Sequence, residues 1–369
     1  MRLLQKECGK CLRHPFLWIV CITFGLFQFL SIYTYVGNAG MRKELRQMHV
    51  AVTDEETASP EYESAYADYK KTYGGMYDTL DMRKILEQKE KKSGYEPQGV
   101  WGSWIVRNYD RLQKRVEQVR KTGEGTYAFY PGNWYELHST LYGKLWKKLI
   151  LQTAVLMILS MLYLMDYERI YKTQDLVLVT TTGKKMMEKK MLAGALCGLF
   201  YAGLLTVFTL LVFFAAVPFQ NLWHVPVAAC MVAEPRLQMM YPFVTFWRLE
   251  QWRYLLFSLV VLVGLLGIVA AVTAAVQLFL QNSYFSFAVL SLLFMGAYLL
   301  AYVQMGNVWD LIRELFNLTV LYATSGGWFM ENDLCLSFAG NEFAVLFCSG
   351  TAAVCVMAVG KRRYHRLEV

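Results

Sequence analysis

The chain has 369 residues, of which 56% are hydrophobic and 18% are charged, and its net charge is +8. Its apolar residues form runs so long that a water-soluble protein of this size would have no surface on which to place them. The composition therefore excludes a soluble globular protein and predicts a membrane protein.

The positive charge is confined to three segments of the chain. Residues 1–14, 166–190 and 361–369 together hold fourteen Lys and Arg against six Asp and Glu, and the rest of the chain sums to zero. The positive-inside rule assigns such segments to the cytoplasm, so we expect both termini there. Beside membrane spans, basic residues of this kind favour anionic lipid as a partner and not nucleic acid.

Six apolar runs are long enough to cross a bilayer, which takes about 20 residues. In chain order they are Phe16–Val36, Leu149–Met165, Met191–Val217, Tyr254–Leu280, Tyr284–Val303 and Phe343–Gly360. The second is the shortest and lies between Lys148 and Asp166, and only Gln281-Asn282-Ser283 separates the fourth from the fifth. We predict an all-α polytopic protein of the cytoplasmic membrane, with six transmembrane helices and a tight turn between spans four and five.

The N-terminal segment resembles both a signal peptide and a metal site, but the pattern is weak for each. The first apolar run is longer than the 7–15 residues of a signal core, so we expect an uncleaved anchor. Cys8-Gly9-Lys10-Cys11 is a single CxxC without a second pair of ligands, so no metal site is predicted. Cys230 and Cys335 both fall in outer connections and could pair, although the sequence does not show that they are close.

Residues 37–148 predict a helical extracytoplasmic domain between spans one and two. Two apolar stripes recur there at helical spacing. They are Tyr62, Tyr66, Tyr69, Tyr73 and Tyr77, with helix resuming through Met82–Lys91, and Ile105, Tyr109, Leu112, Val116 and Val119. We expect an antiparallel helical pair, with the tyrosines as its core or as a ligand-stacking surface. The chain then divides into 1–36 (tail and first span), 37–148 (this domain) and 149–369 (a five-span domain).

The connection between spans two and three predicts a short helix along the inner face of the membrane, at about 173–185. Thr173 can cap it, Asp175 suits its first turn, and Leu176–Val179 form its apolar centre. Thr180–Gly183 then break the helix before a basic run that leads into span three. The alternative is a plain interfacial helix whose lysines meet lipid headgroups.

The connection at 304–342 is too apolar to lie in water, and it is too short and too charged to span the membrane. Gly326-Gly327 interrupts it. We predict a pair of short re-entrant helices, because irregular backbone at membrane depth must be shielded by protein.

Several kinds of chemistry are missing from the sequence. Gly183-Lys184 is followed by Lys185, and Leu178 stands where a phosphate-binding loop needs glycine, so there is no Walker A motif. There is no HExxH motif, and the spans lack the ionisable residues that ion-coupled carriers use as relays. We therefore expect no catalytic residue, no metal and no cofactor in this chain.

The order of elements resembles the permease subunit of type-two ABC exporters, in a bacterial branch with a large extracytoplasmic insert after the first span. The resemblance is carried by Glu168 after span two, Leu176–Val179, Thr181-Thr182-Gly183-Lys184-Lys185 and Lys190. Glu7, Lys10 and Arg13-His14-Pro15 match the family's usual N-terminus. A proline that some members carry is absent, and Gly183 stands in its place as the helix breaker.

The resemblance implies an exporter that is driven by a separate ATPase subunit, which would bind the ATP and Mg²⁺. It also implies a second permease copy or homologue and an amphipathic or apolar cargo such as a peptide, lipid or drug. The residues expected to contact or orient the ATPase are Glu168, Gln174, Asp175, Leu176, Val179, Thr181, Gly183, Lys184 and Lys185. Among these, Glu168 is expected to bind a basic group of the partner.

Two other functions stay open at this point. The chain would fit a membrane sensor or scaffold, with 37–148 as a ligand-binding head and 166–190 as the output. A secondary carrier is the third candidate.

Overall fold

The computed structural model describes most of the chain. The described residues are 2–37, 76–93, 99–124, 138–172, 183–217, 219, 223–229, 231–234, 239–242, 244–303, 308–330 and 338–367. Six helices in these ranges are long and apolar enough to cross a membrane. The predicted all-α polytopic membrane protein is therefore confirmed.

We number the six helices as spans in chain order. They are span 1 (Pro15–Val36), span 2 (Ser139–Met165), span 3 (Gly183–Ala216), span 4 (Gln251–Leu280), span 5 (Ser283–Ala301) and span 6 (Asn341–Leu367). The predicted tight turn between spans 4 and 5 is confirmed. Gln281 adopts a left-handed conformation there (φ 49°), and the Asn282 side chain caps span 5 by accepting from the N–H groups of Tyr284 and Phe285.

Span 2 begins at Ser139, earlier than the predicted Leu149. Its first seven residues, Ser139–Leu145, form a π-helical segment that continues into the α-helix. Lys148, which bounds the predicted run, and Lys144, which lies in the added segment, both contact span 1. Lys144 Nζ lies 4.9 Å from the Tyr35 ring centroid, and Lys148 Nζ donates to Ser31 Oγ at 3.1 Å. Contacts of this kind let the helix extend through charged residues at its end.

A six-span chain has two faces, which we name by the segments they carry. The terminal face carries the N-terminal helix (Arg2–Leu12), the short helix Tyr167–Ile170 and the C-terminal end of span 6. The head face carries the connections after spans 1, 3 and 5. Their helices are Met76–Thr79, Met82–Ser93, Gly99–Thr122, Val308–Leu315 and Thr319–Ala323, with 3-10 turns at Val227–Ala229 and Ser325–Gly327.

The core of the protein lies around span 2, whose apolar window is 67% buried, against 17% for span 5. Span 3 lies directly against it at two glycines. A Cβ on Gly194 would be 3.1 Å from Met161 Cα, and one on Gly198 would be 3.1 Å from Met157 Cα. Small residues at membrane helix interfaces allow this close approach.

The second predicted stripe of the head-face helical domain is confirmed. Its five residues, Ile105 to Val119, are all buried on Gly99–Thr122. Met82–Ser93 packs antiparallel to that helix. Met82 N–H donates to Gln113 Oε1 at 2.9 Å, and the next residue, Arg83, pairs with the earlier Asp110 at 2.7 Å. Of the first stripe, the structure describes only Tyr77, and Tyr62, Tyr66, Tyr69 and Tyr73 lie outside the described residues.

Two short strands were not anticipated. β1 (Met231–Glu234) pairs antiparallel with β2 (Met239–Pro242), with Met231 opposite Pro242. They form a small hairpin between spans 3 and 4. The sequence carries a signal for it, since an apolar run ends at Ala233 and is followed by Glu234-Pro235.

The predicted short helices between spans 5 and 6 are present as Val308–Leu315 and Thr319–Ala323. Asn317 donates to the carbonyl of Ala297, which lies a turn inside span 5, and Ser349 of span 6 donates to the carbonyl of Leu315. This connection therefore folds back alongside both spans instead of standing away from them.

Candidate functional site

The predicted coupling residues fall partly outside the described structure. Gln174, Asp175, Leu176, Val179 and Thr181 lie outside the described residues, so the predicted helix at 173–185 is not tested. Span 3 begins at Gly183, and Lys184 and Lys185 belong to its first turn. Glu168 is described in full.

Glu168 is a buried carboxylate on the helix Tyr167–Ile170, with 7% of its surface exposed. Its Oε1 accepts from Lys10 Nζ of the N-terminal helix at 3.4 Å, and its Oε2 contacts Lys190 Nζ of span 3. Both carboxylate oxygens thus have lysine partners in this chain. The predicted contact with a basic group of another subunit stays a prediction.

Lys10 extends this group of charges. Its ammonium lies 2.7 Å from Glu7 Oε1 and 4.5 Å from the centroid of the Tyr167 ring. We call Glu7, Lys10, Glu168 and Lys190 the terminal charge cluster. Each lysine of the cluster contacts a glutamate, and removing one partner of a buried pair would leave an uncompensated charge.

The terminal charge cluster joins three elements at one point. Glu7 and Lys10 come from the N-terminal helix, Glu168 from the short helix that follows span 2, and Lys190 from the third turn of span 3. Both ends of the connection between spans 2 and 3 are therefore held at the same cluster. A displacement of that connection would act on all three elements.

Span 5 is linked to the same region through Asp166. The Asp166 carboxylate accepts from Ser283 N–H at 3.2 Å, and the Ser283 hydroxyl donates to the carbonyl of Leu162 at 3.1 Å. The end of span 2 is thus tied to the beginning of span 5. Sequence reasoning missed this link, although a serine after the helix-capping Asn282 is a possible partner for Asp166.

The CxxC segment lies on the buried side of the N-terminal helix. Cys11 is fully buried, and Cys197 Sγ of span 3 lies 3.8 Å from the carbonyl oxygen of Cys8. Burial raises the pKa of the Cys8 thiol to about 11, which suppresses its thiolate at neutral pH. Within the described ranges, no group of three or more His, Cys, Asp or Glu side chains is placed to hold a metal ion. Cys230 and Cys335 lie outside the described residues.

A cavity of 710 Å³ opens beside the terminal charge cluster, and we call it the basic cavity. The N-terminal helix forms one wall and the end of span 2 with the following helix forms the other. Its basic and tyrosine lining residues are Lys6, Lys10, Arg13, Tyr163, Tyr167 and Tyr171. Sequence reasoning missed this cavity, although each wall has a signal in the sequence. The basic residues are spaced by four and three and the tyrosines by four and four, which is the spacing of side chains on one face of a helix.

No family model, curated protein or solved structure matches this chain. Its function is therefore inferred from its residues and their geometry.

Proposed function

We propose that this chain is the permease subunit of a type-two ABC exporter. It moves an amphipathic or apolar substrate across the cytoplasmic membrane, with the terminal face in the cytoplasm, a second permease copy or homologue, and ATP hydrolysis in a separate subunit. The observation that supports this proposal is the terminal charge cluster, which anchors both ends of the connection where the coupling helix is expected.

The arrangement around that connection suits the transmission of force. On one side the chain enters span 3 as a continuous helix of 34 residues, Gly183–Ala216, so a push on its first turn tilts the whole element. On the other side, Glu168 and Asp166 link the end of span 2 to the N-terminal helix and to span 5. Nucleotide binding in a partner subunit would shift access by favouring one of two arrangements of these elements.

The test uses the full chain purified from its native membrane. We expect a nucleotide-binding subunit to co-purify in a fixed ratio, and we expect Leu176→Asp with Val179→Asp to abolish substrate-stimulated ATP hydrolysis. The matched control is Leu3→Asp with Ile170→Asp, which places the same charges at two exposed apolar positions of the terminal face outside the predicted helix. Coupled hydrolysis that survives in the folded Leu176/Val179 variant would remove the proposal.

A membrane sensor or scaffold is the second candidate, because the helical domain of the head face contacts both other head-face connections. The Tyr77 hydroxyl donates to the carbonyl of Ala228, and the Trp104 ring lies 5.3 Å from the Phe338 ring. Arg248 also pairs with Glu124 at 3.4 Å. Ligand binding to such a domain would be passed to spans 3 to 6. Purification with a sensor kinase and without an ATPase would favour this candidate over the exporter.

A further inference from the structure

The two walls of the basic cavity differ in chemistry. Lys6 and Lys10 lie on one side of the N-terminal helix and Arg13 directly follows it, while the opposite wall is a column of tyrosines. The Tyr163 and Tyr167 ring centroids are 5.7 Å apart, and those of Tyr167 and Tyr171 are 4.5 Å apart. A cavity of 710 Å³ with a cationic side and an aromatic side is within the size range of small-molecule sites.

The cavity carries a positive charge that the protein does not neutralise. Lys10 is paired with Glu7 and Glu168. In the part of the chain that the structure describes, Lys6 and Arg13 have no acidic partner. His14 also lines the cavity, and its Nδ1 is buried without a hydrogen-bond partner. The unbalanced charge of Lys6 and Arg13 favours an anionic ligand.

The position of the cavity indicates where this ligand would come from. Its lining includes Pro15, the first residue of span 1, and Tyr163, in the last turn of span 2. The cavity therefore lies at the level where the spans end, which is the depth of lipid headgroups. Just inside that level, Phe16 and Ile19 expose 50% and 61% of their surfaces and provide an apolar face for acyl chains.

We propose that the basic cavity binds the phosphate group of an anionic phospholipid from the leaflet on the terminal face. Lys6 and Arg13 supply the charge-assisted hydrogen bonds, and the arginine can engage two phosphate oxygens at once. The tyrosine column lines the space for the remainder of the headgroup. The bound lipid would sit beside the terminal charge cluster and hold the N-terminal helix against span 2. This assignment does not depend on the proposed transport function.

The test measures the binding of dioctanoyl phosphatidylglycerol to the full chain in neutral detergent, by native mass spectrometry and by the shift in Tm. Phosphatidylcholine of the same chain length and glycerol 3-phosphate are the comparison ligands. The test variant is Lys6→Gln with Arg13→Gln. The matched control is Arg169→Gln with Lys189→Gln, which removes two exposed charges from the same face outside the cavity.

We expect the wild type and the control to bind the anionic lipid equally, and the Lys6/Arg13 variant to bind it about thirtyfold more weakly. The charge-preserving variant Lys6→Arg with Arg13→Lys should retain most of the affinity, which guards against a folding defect. Equal binding by the Lys6/Arg13 variant and its control would overturn the proposal.

Two further outcomes would also overturn the lipid assignment. Glycerol 3-phosphate that binds as tightly as the lipid would show that the cavity takes a soluble phosphate ester. Normal lipid binding by the Lys6/Arg13 variant, together with the loss of a co-purifying subunit, would show that this face is a protein docking surface.

Discussion

The two ends of span 2 are fixed by different physics. At the terminal face, Glu168 follows the helix and is held by buried ion pairs with Lys10 and Lys190. At the head face, the backbone of span 2 packs directly against the backbone at Gly326. A Cβ on Gly326 would lie 2.9 Å from Gly143 Cα. The first end depends on charge balance and the second on the absence of side chains. The protein should therefore tolerate different substitutions at each end.

The largest effect is expected at the charged end. Glu168→Gln removes the carboxylate that contacts the buried Lys190 ammonium and should lower the free energy of unfolding by about 3–5 kcal/mol. Adding Lys190→Met removes the stranded ammonium and should recover part of that loss. Denaturant unfolding of the two variants in detergent measures both values. If the double variant were less stable than Glu168→Gln, charge balance would not be what holds this end.

A smaller loss is expected at the packed end. Gly326→Ala forces a methyl group against the backbone of span 2 and should cost about 1–3 kcal/mol. Gly296→Ala in span 5 is the control, because a Cβ there would meet no atom within 4 Å. Comparing the Tm of the two variants tests the idea. Equal Tm values would mean that the two backbones can separate at little cost.

The middle of span 2 offers a neutral polar contact between the two ends. Gln28 Nε2 of span 1 donates to Gln152 Oε1 at 2.7 Å, and both side chains are buried. Gln28→Leu should destabilise the protein by about 0.6–1.7 kcal/mol, the range for interhelical hydrogen bonds in membranes. The same unfolding assay measures it. A loss as large as that of Glu168→Gln would contradict the ranking of charged above neutral contacts.

The smallest effect is expected at the exposed ion pair of the head. The hydrogen bond from Arg83 holds the pKa of Asp110 below its ordinary value of 3.8. Because the pKa of Asp110 is lower in the folded state, the ion pair stabilises the folded protein above about pH 4. This stabilisation is lost as the pH falls through the folded-state pKa. Asp110→Asn should therefore be slightly less stable than the wild type at pH 7 and equal to it at low pH. A pH series of Tm values checks this, and a difference that persisted at low pH would assign the effect to packing.

The sequence predicted the local features well, because hydropathy and helical periodicity are properties of contiguous residues. The six spans, the tight turn at Gln281 and the buried stripe from Ile105 to Val119 all follow from such patterns. The helix of span 2 begins earlier than predicted, because Lys148 bounds the apolar run in the sequence. The helix continues past Lys148 and Lys144, whose partners, Ser31 and Tyr35, belong to span 1 and are far away in the chain.

The candidate site also combines features that the sequence predicts with contacts that depend on the tertiary structure. The sequence by itself determined that Glu168 follows span 2, that Lys10 lies in the basic N-terminal tail, and that Lys190 directly precedes the apolar run of span 3. Only the tertiary structure decided that these three charges meet and that a cavity opens beside them. Hydropathy is summed over neighbouring residues, whereas an ion pair or a cavity depends on which distant helices pack together. The packing of Gly194 and Gly198 against span 2 is one of the contacts that brings Lys190 to Glu168.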